Sequence, residues 1–510
     1  MRKIFNKLIS VYLELRYRQI QNFMDNPHEI QRALFNQIIA AGTDTEYGKQ
    51  YSFDKLKNAE DFASKVPITD YEDLKPYIER MMMGEKSILW PGQVKWFSKS
   101  SGTTSSKSKF IPVSQINLKH GHVKSSWDVV TLLYHNRPES MVFAQKNLVM
   151  GGSLSAFEKH KETIYGDISA IMLENMPSVG RPFYTPDFKT AIMPNWDEKI
   201  ERMVEICSKE QVTMFGGVPT WTIVLFRKIL EATGKKNIKE VWPDVQTYVH
   251  GGVSFEPYRS QFEEFLPFEE MNYVEVYNAS EGYFAIQDNS DTNDLLLLLD
   301  NGSYYEFIPM SVWGTEDQKA IPLSEVKIGV VYAIVISTTS GLWRYQPGDT
   351  VEFTSTSPYK LKIKGRTKHY INVFGEEIMV CNTDKALSLT CRELHCSIVD
   401  YTVGPIFIEG KDKKGAHEWA IEFEITPDSL ENFANLLDSN LQKVNSDYEA
   451  KRYKSMALDQ LKVNLLPRGS FLSWLRTKGK VGGQNKIPRL SNNRIFLEQI
   501  LEYNAVRSSR

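Results

Sequence analysis

The pattern of apolar residues changes near Glu281, and that change constrains the fold more than any other feature. Between Ile88 and Phe284, short apolar runs that predict strands alternate with segments of helical periodicity. The strand candidates are 146–150, 211–215 and 245–249, and Trp221–Thr233 is one of the helical segments. This alternation is typical of βα units around a largely parallel sheet. After Glu281, strand candidates joined by turn residues predict a small antiparallel β subdomain.

The length of the chain and a second change of pattern predict two domains. At 510 residues the chain exceeds the size at which a single hydrophobic core stops growing. A Gly-Arg-Thr-Lys run at 365–368 separates the antiparallel region from a new α+β pattern. We therefore predict a large α/β N-terminal domain over 1–366 and a smaller α+β C-terminal domain over 367–510.

Local patterns give predictions for single elements. Residues 70–76 predict a capped short helix that ends near Pro76. The antiparallel strand candidates are 294–299, 304–308, 329–337, 342–345 and 351–354. Beyond the boundary, 398–409 and 418–425 predict strands, and Thr426-Pro427 predicts the start of a helix.

Composition and charge exclude several classes of protein. The net charge of -2, from 61 basic and 63 acidic side chains, gives no overall attraction to nucleic acid or to anionic lipid. No stretch approaches transmembrane length, and the N-terminal residues lack the apolar core of a signal peptide. The four cysteines lack CxxC spacing and no His/Cys cluster has zinc spacing, so we expect reduced thiols in a cytoplasmic protein.

The N-terminal segment has helical periodicity, with Ile4, Leu8, Val11 and Leu15 on one face. Such a stripe can lie on a membrane surface or pack on the protein. We expect it to pack on the main domain.

The hydroxyl-rich segment Ser100–Ser106 is the most informative motif. It holds six hydroxyl residues and one glycine and is flanked by lysines. Backbone N–H groups, hydroxyl donors and a lysine together can bind polyphosphate oxygens. The spacing is not that of a P-loop, because Lys107 stands where the second glycine should be. A polar surface loop is the alternative.

Two later motifs each supply one carboxylate. Glu281 follows the strand candidate that ends in Tyr277, and a single exposed carboxylate is sufficient for a phosphate-bound Mg²⁺. Asp349 follows a Pro347-Gly348 turn, where its two oxygens can accept from both ribose hydroxyls. Taken singly, a surface glutamate and a structural turn are the alternatives.

The order of these motifs resembles the acyl-adenylate-forming superfamily of acyl-CoA ligases and luciferase. The forms SSGTTSS, YNASEGYF and GLWRYQPGD, with an early TEYGKQY, look like the Gretchen Hagen auxin-responsive family of acyl-acid amido synthetases. The resemblance covers nearly the whole chain. It implies a luciferase-like architecture, in which a multi-subdomain N-terminal domain with a small β-barrel-like part is followed by a mobile C-terminal domain.

The resemblance also implies roles for individual residues. ATP would bind at Ser100, Ser101, Gly102, Thr103, Thr104, Ser105, Tyr277, Ser280, Glu281, Asp349 and Arg366. Of these, Tyr277 would flank the adenine, Asp349 would hold the ribose, and Glu281 would act catalytically by holding Mg²⁺. Lys486, in a glycine-led loop before Pro488, is the candidate catalytic lysine, with a structural role as the alternative. Gln346 departs from the arginine common in plant members.

The substrates implied are a carboxylic acid and an amine, most simply an amino acid. Val218, Trp221, Gly252 and Val253 are positional candidates for the acid pocket, and they do not identify the acid. An acyl-CoA ligase with the same first step is the alternative enzyme. A binding protein that has lost catalysis is the alternative of another class. The sequence leaves monomer and homodimer open.

Overall fold

The computed structural model describes residues 2–100, 109–176, 178, 180–367, 370–371, 376, 378–407, 415–452, 458–478 and 487–508. The chain forms two compact units. The first comprises Met1–Gly252 and Leu266–Lys362, and the second comprises Val253–Phe265 and Ile363–Arg510. The second unit therefore includes a segment that lies between two parts of the first unit in the sequence.

The first unit is built on two sheets and surrounding helices. Its strands are β1 (Trp96–Ser100), β2 (Lys109–Val113), β3 (Lys146–Val149), β4 (Leu154–Phe157), β5 (His160–Gly166), β6 (Tyr184–Thr185), β7 (Val212–Gly217), β8 (Thr247–Gly251), β9 (Asn272–Asn278), β10 (Tyr283–Ile286), β11 (Leu295–Leu297), β12 (Ser303–Pro309), β13 (Ile321–Pro322), β14 (Val331–Thr338), β15 (Asp349–Thr356) and β16 (Tyr359–Arg366), the last of which continues into the second unit. Its helices are α1 (Arg2–Asp25), α2 (Pro27–Gly42), α3 (Glu46–Gln50), α4 (Ala59–Lys65), α5 (Tyr71–Met82), α6 (Gln115–Asn117), α7 (Lys124–Asn136), α8 (Ile168–Glu174), α9 (Phe188–Ala191), α10 (Trp196–Cys207) and α11 (Pro219–Thr233).

The larger sheet contains both the parallel and the antiparallel strands predicted from the sequence. In the described residues it has twelve strands, in the order β13-β12-β14-β15-β16-β11-β10-β9-β8-β7-β3-β6. Strands β6, β3, β7, β8 and β9 are parallel, while β10 onward pair antiparallel. The antiparallel strands thus continue the same sheet. A second sheet has the order β2-β1-β5-β4.

Helix α5 begins as predicted and ends later than predicted. Asp70 caps it, because its side chain accepts from the backbone N–H groups of Glu72 and Asp73. The helix continues through Pro76 to Met82. An interior proline costs about 3 kcal/mol, and burial of Ile78 and Met82 offsets this cost by about 1.5–3 kcal/mol for each side chain.

Helix α1 packs on the first unit through a different face from the predicted one. Leu13 and Ile20 are buried, whereas Val11 and Leu15 are 65% and 58% exposed. Arg16 of this helix pairs with Asp128 at 2.6 Å, and the Asp128 side chain is fully buried. No helix in the described residues is long and apolar enough to cross a membrane.

Residues 342–345 are not a strand, contrary to the prediction. Arg344 has a φ of +44°, in the left-handed region, which interrupts an extended backbone. Tyr345 still exchanges two backbone hydrogen bonds with Ile336 of β14, both of 2.8 Å. The side chain of Arg344 explains the local turn, since it reaches a buried carboxylate described below.

The second unit contains a three-stranded sheet covered by helices. Its sheet has the order β19 (Ser397–Phe407), β20 (Gly415–Ile425) and β21 (Lys462–Leu466), and β17 (Tyr370–Ile371) pairs with β18 (Ile378–Met379). Its helices are α12 (Arg259–Phe265), α13 (Val380–Glu393), α14 (Leu430–Val444), α15 (Ser446–Arg452), α16 (Ser470–Thr477) and α17 (Ile495–Ser508). Helix α14 begins four residues later than the predicted start at Thr426, because Ser429 is its N-cap.

The segment Val253–Phe265 is held in the second unit by side-chain hydrogen bonds. The guanidinium of Arg489 donates to the Tyr258 hydroxyl at 2.7 Å, and its other nitrogen pairs with Asp400 at 2.9 Å. The Gln261 amide donates to the backbone carbonyl of Ile398 at 3.1 Å. Both Tyr258 and Gln261 are buried. The segment is therefore part of the core of this unit.

Candidate active site

The candidate site lies at the carboxyl edge of the parallel strands in the first unit. Strands β7, β8 and β9 end at Gly217, Gly251 and Asn278. A Cβ atom on Gly251 would lie 2.4 Å from the carbonyl oxygen of Val276, so only glycine permits this approach of β8 to β9. Ligands of open α/β sheets bind at this edge.

The turn after β9 places a carboxylate beside this edge. The N–H of Ala279 donates to the carbonyl of Gly282 at 2.9 Å and closes the turn. Ser280 and Glu281, between them, are 3% and 7% exposed. Strand β10 then returns antiparallel to β9. Because a tight turn between paired strands fixes its backbone, the position of the Glu281 side chain is set by the sheet.

Two residues predicted from separate motifs are in direct contact. The hydroxyl of Tyr277 donates to Oδ2 of Asp349 at 2.6 Å. Tyr277 is in β9, and its ring packs edge-to-face with that of Phe284, with 4.9 Å between the ring centroids. Asp349 is the first residue of β15 and follows Gly348, whose φ is +90°. The structure thus brings together two side chains that are 72 residues apart.

Arg344, in the same motif as Asp349, is an anchor in the protein interior. Its guanidinium forms a two-point ion pair with Glu306, with nitrogen–oxygen distances of 2.9 and 2.8 Å. A third nitrogen donates to the backbone carbonyls of Ala63 and Val66 at 2.7 and 2.8 Å. Its side chain is only 5% exposed. This arginine fixes the backbone that leads to Asp349.

Some predicted phosphate and catalytic residues lie outside the described residues. Ser100 is the last residue of β1 and pairs with Lys109 of β2. The described residues do not include Ser101, Gly102, Thr103, Thr104, Ser105 or Lys486. Their roles therefore stay predictions.

The acid-pocket candidates fall in both units. Val218 is the N-cap of α11, and Trp221 in its first turn packs edge-to-face on Trp196 at 4.4 Å. Gly252 follows β8 in the first unit with a φ of +84°. In the second unit, Val253 begins the segment 253–265, and Arg366 ends β16.

Sequence reasoning missed two buried basic side chains in the first unit, Lys199 and His122. Lys199 of α10 donates to the carbonyls of Gly151 and Gly152 at 2.7 and 3.0 Å, and burial lowers its pKa to about 8. His122 lies in a π-helical turn, 118–123, a distortion that often marks functional sites. Burial lowers the pKa of His122 to about 4, and a contact with Asn278 partly opposes the shift. No sequence pattern distinguishes these residues from surface ones.

Acid should destabilise the fold through His122. Unfolded His122 takes up a proton near its ordinary pKa of 6.5, but folded His122 does so only near 4. The stability that it contributes is therefore present above pH 6.5 and is lost as pH falls toward 4, at about tenfold in the unfolding equilibrium per pH unit. Urea unfolding of the native chain and His122→Gln across this range measures the difference. The control is His135→Gln, at the exposed end of α7. If the unfolding free energy depended on pH with the same slope in all three proteins, the assignment to His122 would be contradicted.

Comparisons with known proteins identify the family of this chain. The description "GH3 family N-terminal domain" matches residues 16–191 and 141–271, "GH3 family central domain" matches 296–366, and "GH3 family C-terminal domain" matches 381–495. These matches cover more than half of the chain. The chain belongs to the GH3 family. The motifs of the sequence, from SSGTTSS to GLWRYQPGD, are thus GH3 motifs.

Related GH3 proteins are ligases that act on carboxylic acids. The 4-substituted benzoates-glutamate ligase GH3.12 of Arabidopsis thaliana is 24% identical over 92% of this chain and 94% of that protein. The jasmonoyl–L-amino acid synthetase JAR4 of Nicotiana attenuata is 23% identical over 94% of each chain. This GH3 chain accordingly belongs with amide-bond-forming ligases.

Solved structures share the fold. The GH3.15 acyl acid amido synthetase in complex with 2,4-DB superposes with a TM-score of 0.78 at 17% identity, covering 97% of this chain and 96% of that chain. A 2-hydroxyisobutyryl-CoA ligase in the postadenylation state gives a TM-score of 0.59 at 12% identity, covering 93% and 91%. The adenylate-forming fold predicted from the sequence is confirmed.

Proposed function

We propose that this GH3 protein joins a carboxylic acid to an amino acid through an acyl-adenylate formed at the carboxyl edge of β7, β8 and β9. The observation that supports this site most strongly is the 2.6 Å bond between Tyr277 and Asp349. Glu281 follows Tyr277 by four residues and lies in the turn after β9. These residues supply an aromatic ring, a carboxylate that can accept from ribose hydroxyls and a second carboxylate that can bind a metal ion.

Each side chain suits one part of Mg-ATP. The Asp349 carboxylate can accept from both ribose hydroxyls. Backbone and hydroxyl donors between Ser100 and Ser105 would bind the phosphates. Arg366 would contact the nucleotide from the end of β16.

The chemistry of Glu281 fits a magnesium ion. In the described residues there is no group of three or more His, Cys, Asp or Glu side chains suited to a metal. The protein ligand proposed here is the single carboxylate of Glu281. Mg²⁺ usually keeps several waters and uses one or two carboxylates beside phosphate oxygens. When bound, it would neutralise charge on the phosphates.

In the first half-reaction, the carboxylate of the acid attacks the α-phosphorus of ATP and pyrophosphate leaves. The protein holds the nucleotide in line with the acid and supplies positive charge, for which Lys486 is the candidate. The acid would lie near Val218, Trp221, Gly252 and Val253. The indole rings of Trp221 and Trp196 favour an apolar or aromatic acid.

In the second half-reaction, the neutral amine of an amino acid attacks the acyl carbonyl, and AMP leaves. A movement of residues 367–510 would take Lys486 away from the reacting atoms and open a path by which the amine can enter. This movement rests on analogy with adenylate-forming enzymes. A cytoplasmic location and a monomer or homodimer remain part of the proposal.

The test is acid-dependent pyrophosphate release by the native chain with Mg-ATP, measured over aromatic, aliphatic and hydroxy acids. We expect release with a subset of acids, followed by an amide product when the twenty amino acids are added in turn. A thioester with coenzyme A and no amide would favour the acyl-CoA ligase. No release and no ATP binding with any acid would favour a binding protein without catalysis.

A further inference from the structure

We propose that Tyr277 is a positioning residue whose hydroxyl aligns the Asp349 carboxylate with the ribose, so that this hydroxyl determines how strongly the enzyme prefers ribonucleotides to deoxyribonucleotides. The inference rests on the proposed binding of ATP at this site. It assigns to Tyr277 a role separate from flanking the adenine. The ring would serve the base, and the hydroxyl would serve the ribose through Asp349.

The tyrosine is the more rigid member of the pair. Tyr277 is 6% exposed and lies within β9, where it is paired with Ala285 of β10. Its ring also contacts Phe284 at 4.9 Å with an interplanar angle of 68°. A phenol held by strand pairing and by a neighbouring ring has few rotamers available. Its hydroxyl is therefore a fixed point to which a carboxylate can be tied.

The aspartate needs such a fixed point. Asp349 is partly exposed and occupies the first position of β15, directly after a glycine with positive φ. The χ2 torsion of aspartate is broad, so its two oxygens exchange positions easily. An oxygen–oxygen distance of 2.6 Å is typical of a charge-assisted O–H···O⁻ bond. This bond restrains the plane of the carboxylate.

The orientation of that plane matters for the ligand. Two vicinal hydroxyls donate in a fixed geometry, and a carboxylate accepts both only when its oxygens face them. A carboxylate offers about four lone-pair sites, so the bond from Tyr277 leaves capacity for the ribose. Loss of the hydroxyl would remove this restraint on the carboxylate plane, and the preference for two ribose hydroxyls would weaken.

The test variant is Tyr277→Phe, which keeps the ring and removes one oxygen. Pyrophosphate release is measured with ATP, 2′-deoxyATP and 3′-deoxyATP at saturating acid. We expect KM for ATP to rise about tenfold, as for loss of a hydrogen bond to a charged group, with kcat changed less than about threefold. KM for the deoxynucleotides should change little, so the ratio of ATP to deoxyATP efficiency falls by the same factor.

Two further proteins make the result specific. Tyr134→Phe also removes a buried hydroxyl, which donates to the side chain of Asn6 on α1 at 2.5 Å. This variant should leave the ratio of ATP to deoxyATP efficiency unchanged. Asp349→Asn should remove most of the ribose preference, and adding Tyr277→Phe to it should change the ratio no further. An unchanged ratio in Tyr277→Phe, or additive effects in the double variant, would overturn the inference.

Direct binding separates this inference from the proposed function. If the native chain releases no pyrophosphate with any acid, calorimetric titration with ATP and the two deoxynucleotides replaces the kinetic ratio. A ribose preference that Tyr277→Phe weakens would support the positioning role even without catalysis. A native chain that binds the three nucleotides equally, or none of them, would overturn it.

Discussion

Replacing Glu281 with glutamine should lower acid-dependent pyrophosphate release by about 100-fold or more, as expected for loss of a group that stabilises charge in the transition state. Glutamine keeps the size and the hydrogen-bonding reach of the side chain at this 7% exposed position, so the turn after β9 should persist. It removes the negative charge that would hold Mg²⁺. The expected signature is a loss of activity that a higher Mg²⁺ concentration partly restores.

A second carboxylate in the same unit provides the control for this prediction. Glu352→Gln alters a partly buried glutamate on β15, three residues after Asp349. It should change pyrophosphate release by less than about twofold. Both variants are compared by steady-state release over a range of Mg²⁺ concentrations. Equal losses in the two variants, or a Glu281→Gln activity independent of Mg²⁺, would show that Glu281 does not hold the metal.

The Arg344→Met variant should lose about 3–5 kcal/mol of unfolding free energy, the usual cost of breaking a buried ion pair by removing one partner. Glu306, whose side chain is only 6% exposed, would be left in the interior without its ion-pair partner. The carbonyl oxygens of Ala63 and Val66 would also lose their donor. Urea denaturation followed by circular dichroism measures the change.

An exposed ion pair of the same geometry shows whether burial is the cause. Arg80 binds Glu46 through two contacts of 2.7 and 2.8 Å, but the two side chains are 41% and 44% exposed. Arg80→Met should therefore change stability far less. Combining Arg344→Met with Glu306→Leu should recover part of the loss, because no unpaired charge remains. Similar losses for Arg344→Met and Arg80→Met would contradict this account.

Periodic patterns and motif order predicted much of the fold, because both depend on residues close together in the sequence. The alternation between Ile88 and Phe284 yielded β3, β7, β8 and α11 with small errors at their ends. The Asp70 cap was likewise visible, since its partners are two and three residues away. The order of the motifs was sufficient to identify the family.

The errors have a common physical origin in contacts between distant residues. Residues 342–345 were predicted to form a strand because three of the four are apolar or aromatic, but Arg344, which pairs with Glu306 38 residues away, has a left-handed backbone. Pro76 indicated a helix end, but the free energy gained by burying apolar side chains of this helix outweighs the cost of an interior proline. The contact between Tyr277 and Asp349 had no sequence signal beyond the two motifs themselves.

The segment Val253–Phe265 limits how this chain can be divided. Its Tyr258 hydroxyl accepts from Arg489, and its Gln261 amide donates to the backbone carbonyl of Ile398 in the second unit. A protein cut at a single point near residue 363 would separate these partners and leave a buried arginine with one hydrogen bond fewer. The second unit thus consists of two separate sequence segments, and a single recombination event cannot transfer it whole to another gene. Its sequence and that of the β8–β9 connection have to be inherited together.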